Sequence, residues 1–288
     1  MHSNSKKIVI TGASTGIGYE LARLFTDHGY FVYGSVRREE DAERLSASFG
    51  ENFRSLLFDV TDHDAVQKAA WQVTQDLGEQ GLDGLINNAG IAIGGPFIDL
   101  STEDFLAQFQ VNVFGLVAVT KAFLPLLGAR ESNAQNPGKI LMISSVAGKQ
   151  GMPFMSPYSG SKFAIEGITE CLRKELMLFG VDVVLIEPGP IKTPIWDKGI
   201  SDLLETRFKD SPYQEVLANY ENKFLKPAIK KALTAENAAQ KILRVFEKKK
   251  PKARYVMLKN KFTNWTLPQL LPSRMVDKVI GKLLGLSK

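Results

Sequence analysis

Cysteine is all but missing from this chain. Cys171 is the only one in 288 residues, which excludes an internal disulfide and predicts a reducing, cytoplasmic setting. Long apolar runs are missing too. No stretch of about 18 consecutive apolar residues occurs, so no membrane-spanning helix is expected. The opening "MHSNSKK" is polar and lacks the apolar core of an export signal. There is no zinc-ligand spacing and no RNA-stacking motif, so neither a metal site nor a nucleic-acid partner is expected. No long linker, short-period repeat or low-complexity segment divides the chain. What is there is a composition 44% hydrophobic, enough to bury a full core in one large domain spanning 1–288.

Acidic residues are scarce in one region only. From Lys223 to Lys288 there are 17 Lys/Arg against 3 acids, a net +14, which leaves −9 for the other 222 residues. A basic quarter suits an anionic surface, or a solvated exterior around core-facing apolar residues. The solvated exterior is the favoured reading.

Short apolar runs alternate with amphipathic stretches along most of the chain. "KIVITG" (7–12), "YFVYGSV" (30–36), "FRSLLFDV" (53–60), "LDGLINNAG" (82–90), "GKILMISS" (138–145), "VDVVLIEPG" (181–189) and "ARYVML" (253–258) predict strands. They are rich in Val, Ile and Leu with little alternation, as in strands covered on both faces. Helical patterns fall at about 16–28, 39–49, 62–78, 101–127, 157–179 and 235–248, and Ser101 with Asp104 marks a helix start. This alternation predicts an α/β fold: a single Rossmann-like doubly wound domain, with a mainly parallel seven-stranded sheet and helices on both faces. Its ligand should bind beyond the carboxyl ends of the strands. The longest break, 190–233, reads as a lid or pocket wall.

"TGASTGIG" (11–18) closes the first strand and opens the first helix. Gly12, Gly16 and Gly18 permit a tight turn and let a pyrophosphate approach backbone N–H groups at the helix start. Further along come "DV" (59–60), "NNAG" (87–90), Asn112, "SSVAG" (144–148), "YSGSK" (158–162) and "PGPIKT" (188–193). In this order, from Lys7 to Thr193, they resemble the short-chain dehydrogenase/reductase family. The leaning is towards its hydroxysteroid- and retinol-dehydrogenase-like branch.

The resemblance implies a nicotinamide cofactor held by Gly12, Ser14, Thr15, Gly16, Ile17 and Gly18 at the first turn. It implies that Asp59 bonds the adenine amino group, with the Val60 backbone beside the ring, and that Asn88, Ala89 and Gly90 pass close to the cofactor. Asn88 is expected to bridge strands and Asn87 to serve only the turn. The second strand ends in "SVRRE", with Val36 where an acidic residue would exclude a 2′-phosphate. Arg37 and Arg38 follow it, and guanidinium groups bind phosphate by charge-assisted bonds. The expected cofactor is therefore NADP(H), with Arg37 the stronger candidate. Pro188, Gly189 and Pro190 force an extended turn that exposes backbone groups, so that Ile191 N–H and the Thr193 hydroxyl would hold the carboxamide.

"YSGSK" puts Tyr158 and Lys162 four apart, on one face of a helix. An ammonium about 4 Å from a phenol contributes roughly 4 kcal/mol at an effective dielectric of 20. With the oxidised nicotinamide's charge, that is enough to bring a phenol towards neutrality and make it a general acid or base. Ser145 matches the family's S-x-x-G pattern and would bond the substrate oxygen, with Ser144 its rival. The three histidines, His2, His28 and His63, are not placed to turn either serine into a hydrolase nucleophile. The resemblance gives Asn112 a water that relays protons to Lys162, and Tyr158 and Lys162 a part in holding the cofactor.

Phe97, Met152, Phe154, Met155 and Trp196 fall on the expected pocket loops and predict an apolar, bulky substrate. The reading is an NADP(H)-dependent alcohol dehydrogenase or carbonyl reductase. A 3-oxoacyl thioester reductase and a catalytically silent NADP(H) sensor are the alternatives. The family implies a homodimer or homotetramer. In the extension at 259–288, Met275, Val276, Val279, Ile280, Leu283 and Leu284 share one helical face, with Arg274, Lys278 and Lys282 on another side. Docking on the protein is the favoured role for that helix, and peripheral membrane contact the other.

Overall fold

The computed structural model describes residues 5–129, 136–193 and 206–286. The strands are β1 Lys7–Ile10, β2 Phe31–Val36, β3 Phe53–Leu57, β4 Gly84–Asn87, β5 Lys139–Ile143, β6 Asp182–Pro188, the two-residue β7 Ile191–Lys192 and β8 Leu233–Thr234, and β9 Arg254–Met257. Seven of them form one parallel sheet in the order β3-β2-β1-β4-β5-β6-β9. The order reverses between β1 and β4, so a crevice opens there at the carboxyl edge. β7 and β8 pair separately, a small sheet that the apolar pattern did not predict because two residues carry no period.

The helices are α1 Gly16–Asp27, α2 Glu39–Phe49, α3 His63–Leu77, α4 Thr102–Phe109, α5 Leu116–Phe123, α6 Ser156–Glu175, α7 Gln214–Asn219, α8 Lys226–Lys230, α9 Ala235–Phe246, α10 Leu267–Leu270 and α11 Ser273–Leu284. Strand side chains alternate between two layers. Val9, Ile140, Met142, Val183 and Leu185 pack with α3, α5 and α6. Ile8, Ile10, Leu141, Ile143, Val184 and Ile186 pack with α1 and α9. Both faces are covered, which is why the strands lack a polar side.

The α4 start carries a capping box, Ser101 and Asp104 each accepting from the other's backbone N–H. Residues 102–127 form one helical run, long and apolar enough by composition to cross a membrane. That differs from the sequence expectation, which required an uninterrupted apolar stretch. In the fold, Leu116, Val119 and Phe123 of this run are buried in the core layer shared with α3 and β4. Between α4 and α5 the backbone widens into a π-turn at Gln110–Gly115.

Within the expected lid, the described part is mostly helical. A π-turn at Tyr220–Leu225 joins α7 to α8. Tyr220 and Leu225 bury Leu284 of α11, with Ile280 and Phe154 packed against them. The six apolar residues of α11 therefore do not act together. Leu284 is buried and Val276 and Ile280 half-buried, whereas Met275, Val279 and Leu283 are exposed. The stripe spans more of the helix circumference than one docking contact covers.

Candidate active site

The crevice begins at the glycine turn after β1. Gly12 and Gly16 take φ of +68° and +59°, the left-handed region that favours glycine. A Cβ on Gly18 would lie 2.0 Å from the Gly12 oxygen, so α1 can rest on the turn only because that residue is glycine. Thr15 is the α1 N-cap, without a side-chain capping bond, and no acidic residue occupies the first turn. An anion is thus favoured at this helix start by its N–H groups and dipole. Two residues missed in the sequence hold the turn. Ser35 Oγ accepts from Gly12 N at 2.9 Å, and Thr11 Oγ1 accepts from Asn88 N and Ala89 N at 2.9 and 3.0 Å. Thr11 stands inside the glycine motif and was within reach of inspection. Ser35 gave no signal. Ser14 accepts from Arg44 through its carbonyl, and Ile17 packs partly on the core.

Asn88 bridges strands as expected, its amide donating to the Thr11 and Gly12 carbonyls. Asn87 corrects its expectation. It belongs to β4, is buried, and donates to Thr120 Oγ1 at 2.8 Å, so it ties the sheet to α5 and is no turn residue. Thr193 lies over the glycine turn, where a Cβ on Gly16 would come within 3.2 Å of it. Gly189 N donates to Met257 O, and Ile191 belongs to β7.

At the β2 end Arg37 is exposed, 3.6 Å from Asp59. Arg38 instead binds Asp41 one turn into α2. Of the two arginines, only Arg37 faces the crevice end of β3. Burial works against the Asp59 carboxylate, but bonds from Thr61 N and Oγ1, and Arg37 beside it, hold it below the usual range. Val60 packs against Gly115, where any Cβ would come within 2.7 Å of Val60 Cγ2.

Asn112 projects from the π-turn. Its Oδ1 accepts from Ile91 N at 2.9 Å, and its Nδ2 donates to Ile91 O and to Ser161 Oγ at 3.0 and 3.1 Å. Gln108, four residues earlier and fully buried, repeats the contact. It accepts from Ile93 N at 2.7 Å and donates to Ile91 O at 2.8 Å. Sequence reasoning missed Gln108, although a glutamine one turn from Asn112 was the available sign. Gly90 also matters here, since a Cβ would lie 3.1 Å from Asn112 Oδ1.

Ser145, Tyr158 and Lys162 converge at the ends of β5 and α6. Ser145 Oγ accepts from Ala147 N at 3.1 Å and donates to Pro188 O at 3.5 Å, with the Tyr158 phenol close enough to feel it. Ser144, its rival, is buried with no side-chain partner among the described residues. The residue Tyr158 is only partly covered, but its phenol end is deep. Burial pushes its pKa up despite the lowering influence of the Ser145 hydroxyl. Lys162 is buried and donates to Ile143 O at 2.9 Å, with its ammonium 5.7 Å from the Tyr158 ring centroid. Burial brings it down to about 8, against the opposing charge of Glu166. The expected lowering of Tyr158 is therefore not a property of the protein alone. At this separation desolvation outweighs the lysine.

A charged cluster underlies this set. Arg254 of β9 binds Glu166, Glu187 and Glu170, and Lys149 stands 3.8 Å from both Glu166 and Glu170. Burial, then the Glu166 carboxylate, pushes Glu187 up to about 7 against Arg254 and Lys149. One oxygen each of Glu166 and Glu187 is buried without a partner among the described residues.

The pocket loops are joined to the lid. Phe154, at φ +63°, stacks edge-on with Tyr213 and Tyr220 at 5.7 and 5.6 Å. Met155 is buried against Gly94, and Phe208 of the lid closes over Gly95. Met152 is partly covered, and Phe97 is 70% exposed beside Phe105. Trp196 lies outside the described residues.

A parallel sheet reversing at a glycine turn, with a buried serine–tyrosine–lysine set beside the reversal, fits a dinucleotide and defines a Rossmann-type oxidoreductase. Comparison narrows the class. The model of the short chain dehydrogenase family matches residues 6–203, and the chain belongs to the short-chain dehydrogenase/reductase family. It is 43% identical over 274 residues to the NADPH-dependent 3-dehydrocapnine reductase of Ornithobacterium rhinotracheale, covering 95% of each chain. It is 32% identical over 290 residues to dehydrogenase/reductase SDR family member 9 of Bos taurus, covering 96% of this chain and 88% of the other. A solved short-chain dehydrogenase from Streptomyces avermitilis superposes with a TM-score of 0.76 at 25% identity, over 98% of this chain and 99% of that one.

Proposed function

We propose that this protein is an NADP(H)-dependent oxidoreductase interconverting an apolar alcohol and its ketone or aldehyde, with Tyr158 as the proton carrier. The observation that carries the reading is the convergence of Ser145, Tyr158 and Lys162 at the sheet's carboxyl edge, with the buried Lys162 ammonium 5.7 Å from the Tyr158 ring centroid. The name of the bacterial relative, an NADPH-dependent reductase, supports the cofactor, as does Arg37 facing the end of β3. The glycine turn and α1 N-terminus would hold the pyrophosphate, Arg37 the 2′-phosphate, and Thr193 the nicotinamide end. When bound, NADPH supplies the hydride for reduction of a carbonyl carbon.

The chain's own groups handle the oxygen. Ser145 holds the substrate oxygen through its hydroxyl, and Tyr158 delivers its phenolic proton to that oxygen in reduction. The phenolate left behind is stabilised by Lys162. The lysine is charged at neutral pH and loses its charge as pH rises through about 8. Asn112 and Gln108 fix the 91–93 backbone, and Asn112 also fixes Ser161 beside Lys162. The aromatic wall of Phe154, Tyr213, Tyr220 and Phe208 favours an apolar substrate.

A panel of apolar ketones and alcohols, assayed by NADPH consumption or formation, tests the activity. Tyr158→Phe should bind NADPH like the native chain and lose nearly all turnover. Retention of more than about a tenth of kcat, a loss under roughly 1.4 kcal/mol in the barrier, would remove Tyr158 from the proton step.

A further inference from the structure

We infer that the outer face of α11 docks the protein on an anionic lipid bilayer. The helix presents three stripes. Val276, Ile280 and Leu284 turn towards the protein, where Leu284 is buried against Tyr220 and Leu225. Met275, Val279 and Leu283, each four residues apart, form the next stripe and stay exposed, Val279 by 63%. Arg274, Lys278 and Lys282 form the third, also exposed. In angular order the exposed apolar stripe lies between the docked stripe and the basic one. Leu286 beyond the helix, and Leu270 and Phe262 before it, are exposed as well. No other stretch of similar length among the described residues shows so many exposed large apolar side chains.

The charge selects the occupant. A basic stripe bordering an apolar one matches an interface where acyl chains lie beneath anionic headgroups. A second copy packing its own α11 antiparallel on this face across a two-fold axis would bring Arg274, Lys278 and Lys282 towards their own equivalents, and like charges repel. The stripe's position has a consequence for the site. α11 rests on the lid segment whose Tyr220 meets Phe154, so a docked bilayer would lie at the lid end of the molecule.

The test is sedimentation of the purified full chain with phosphatidylcholine vesicles, with and without phosphatidylglycerol. Binding is expected with phosphatidylglycerol and should fall at high salt. The double variant Val279→Glu/Leu283→Glu should lower the partition coefficient at least about tenfold, and so should Lys278→Glu/Lys282→Glu. Val279→Ser/Leu283→Ser, milder for folding, should lower it in the same direction, and unchanged thermal midpoints would show that the variants are folded. Equal binding to neutral and anionic vesicles, absence of binding, or native binding by folded apolar variants would overturn the inference. So would a dimer in analytical ultracentrifugation that Val279→Glu/Leu283→Glu dissolves while vesicle binding is absent, which would assign the face to a second copy.

Discussion

Lys162 stands under two opposed influences. Burial removes water from its ammonium, and the Glu166 carboxylate one turn further along α6 restores part of the lost stabilisation. Glu166 is itself held by Arg254. Glu166→Gln removes the favourable charge and leaves the burial, so the lysine should fall further below its native value of about 8. Because the protonated lysine supports the phenolate, the basic limb of the kcat/KM profile should move to lower pH. Arg254 keeps Glu187 and Glu170, so folding should survive the change. A pH–rate profile measured for both proteins decides this, and an unmoved limb would mean that Glu166 is only structural. Arg37 offers a second residue-scale outcome. Its side chain is 70% exposed and its partner Asp59 lies 3.6 Å away, so little holds it from an incoming phosphate. Arg37→Ala should weaken NADPH binding roughly ten- to hundredfold and leave NADH nearly unchanged. Titration calorimetry with both cofactors checks it, and equal losses for the two would place Arg37 away from the 2′-phosphate.

Among the elements, the helical run through 102–127 does two separate things. Its start is fixed by the Ser101–Asp104 capping box, and Asp104 also binds Arg207 of the lid. Its π-turn aims Asn112 at the 91 loop and brings Gly115 against Val60. Ser101→Ala removes the hydroxyl half of the box alone and should cost about 1 kcal/mol, a fall in Tm of roughly 2 °C. Asp104→Ala removes the carboxylate half of the box together with the lid contact and should cost more. Differential scanning calorimetry of the two variants tests the order, and an equal fall would mean that the Arg207 pair contributes nothing, as many exposed pairs do.

For the molecule as a whole, α11 packs on the lid. Cutting the chain after Leu271 uncovers Tyr220 and Leu225 and removes Leu284 from burial. Fully burying one large apolar side chain stabilises by roughly 1.5–3 kcal/mol, so the shortened protein should be less stable by at least about that amount, without any lipid present. Urea denaturation measures it. An unchanged midpoint would mean that α11 is not held by the protein.

The seven strands, their order of appearance and the main helices were legible in the sequence because hydrophobic period and glycine placement are local properties. The glycine turn lies in a short stretch whose spacing brings its members together, and Ser145, Tyr158 and Lys162 were legible through the order of motifs that resembles the short-chain dehydrogenase/reductase family. Other features depended on the chain's return across long separations. Asn87 reads as a turn residue until Thr120, 33 positions away, is placed beside it. Gln108 and Asn112 look like ordinary helix residues until the π-turn sets them against the 91–93 backbone. The pKa of Tyr158 could not be read from a spacing of four, because desolvation depends on everything packed around the phenol. The division of α11 into a docked edge and an exposed edge was likewise decided by tertiary packing. A helical period says which residues share a face, but only the partner's shape says how much of that face it covers.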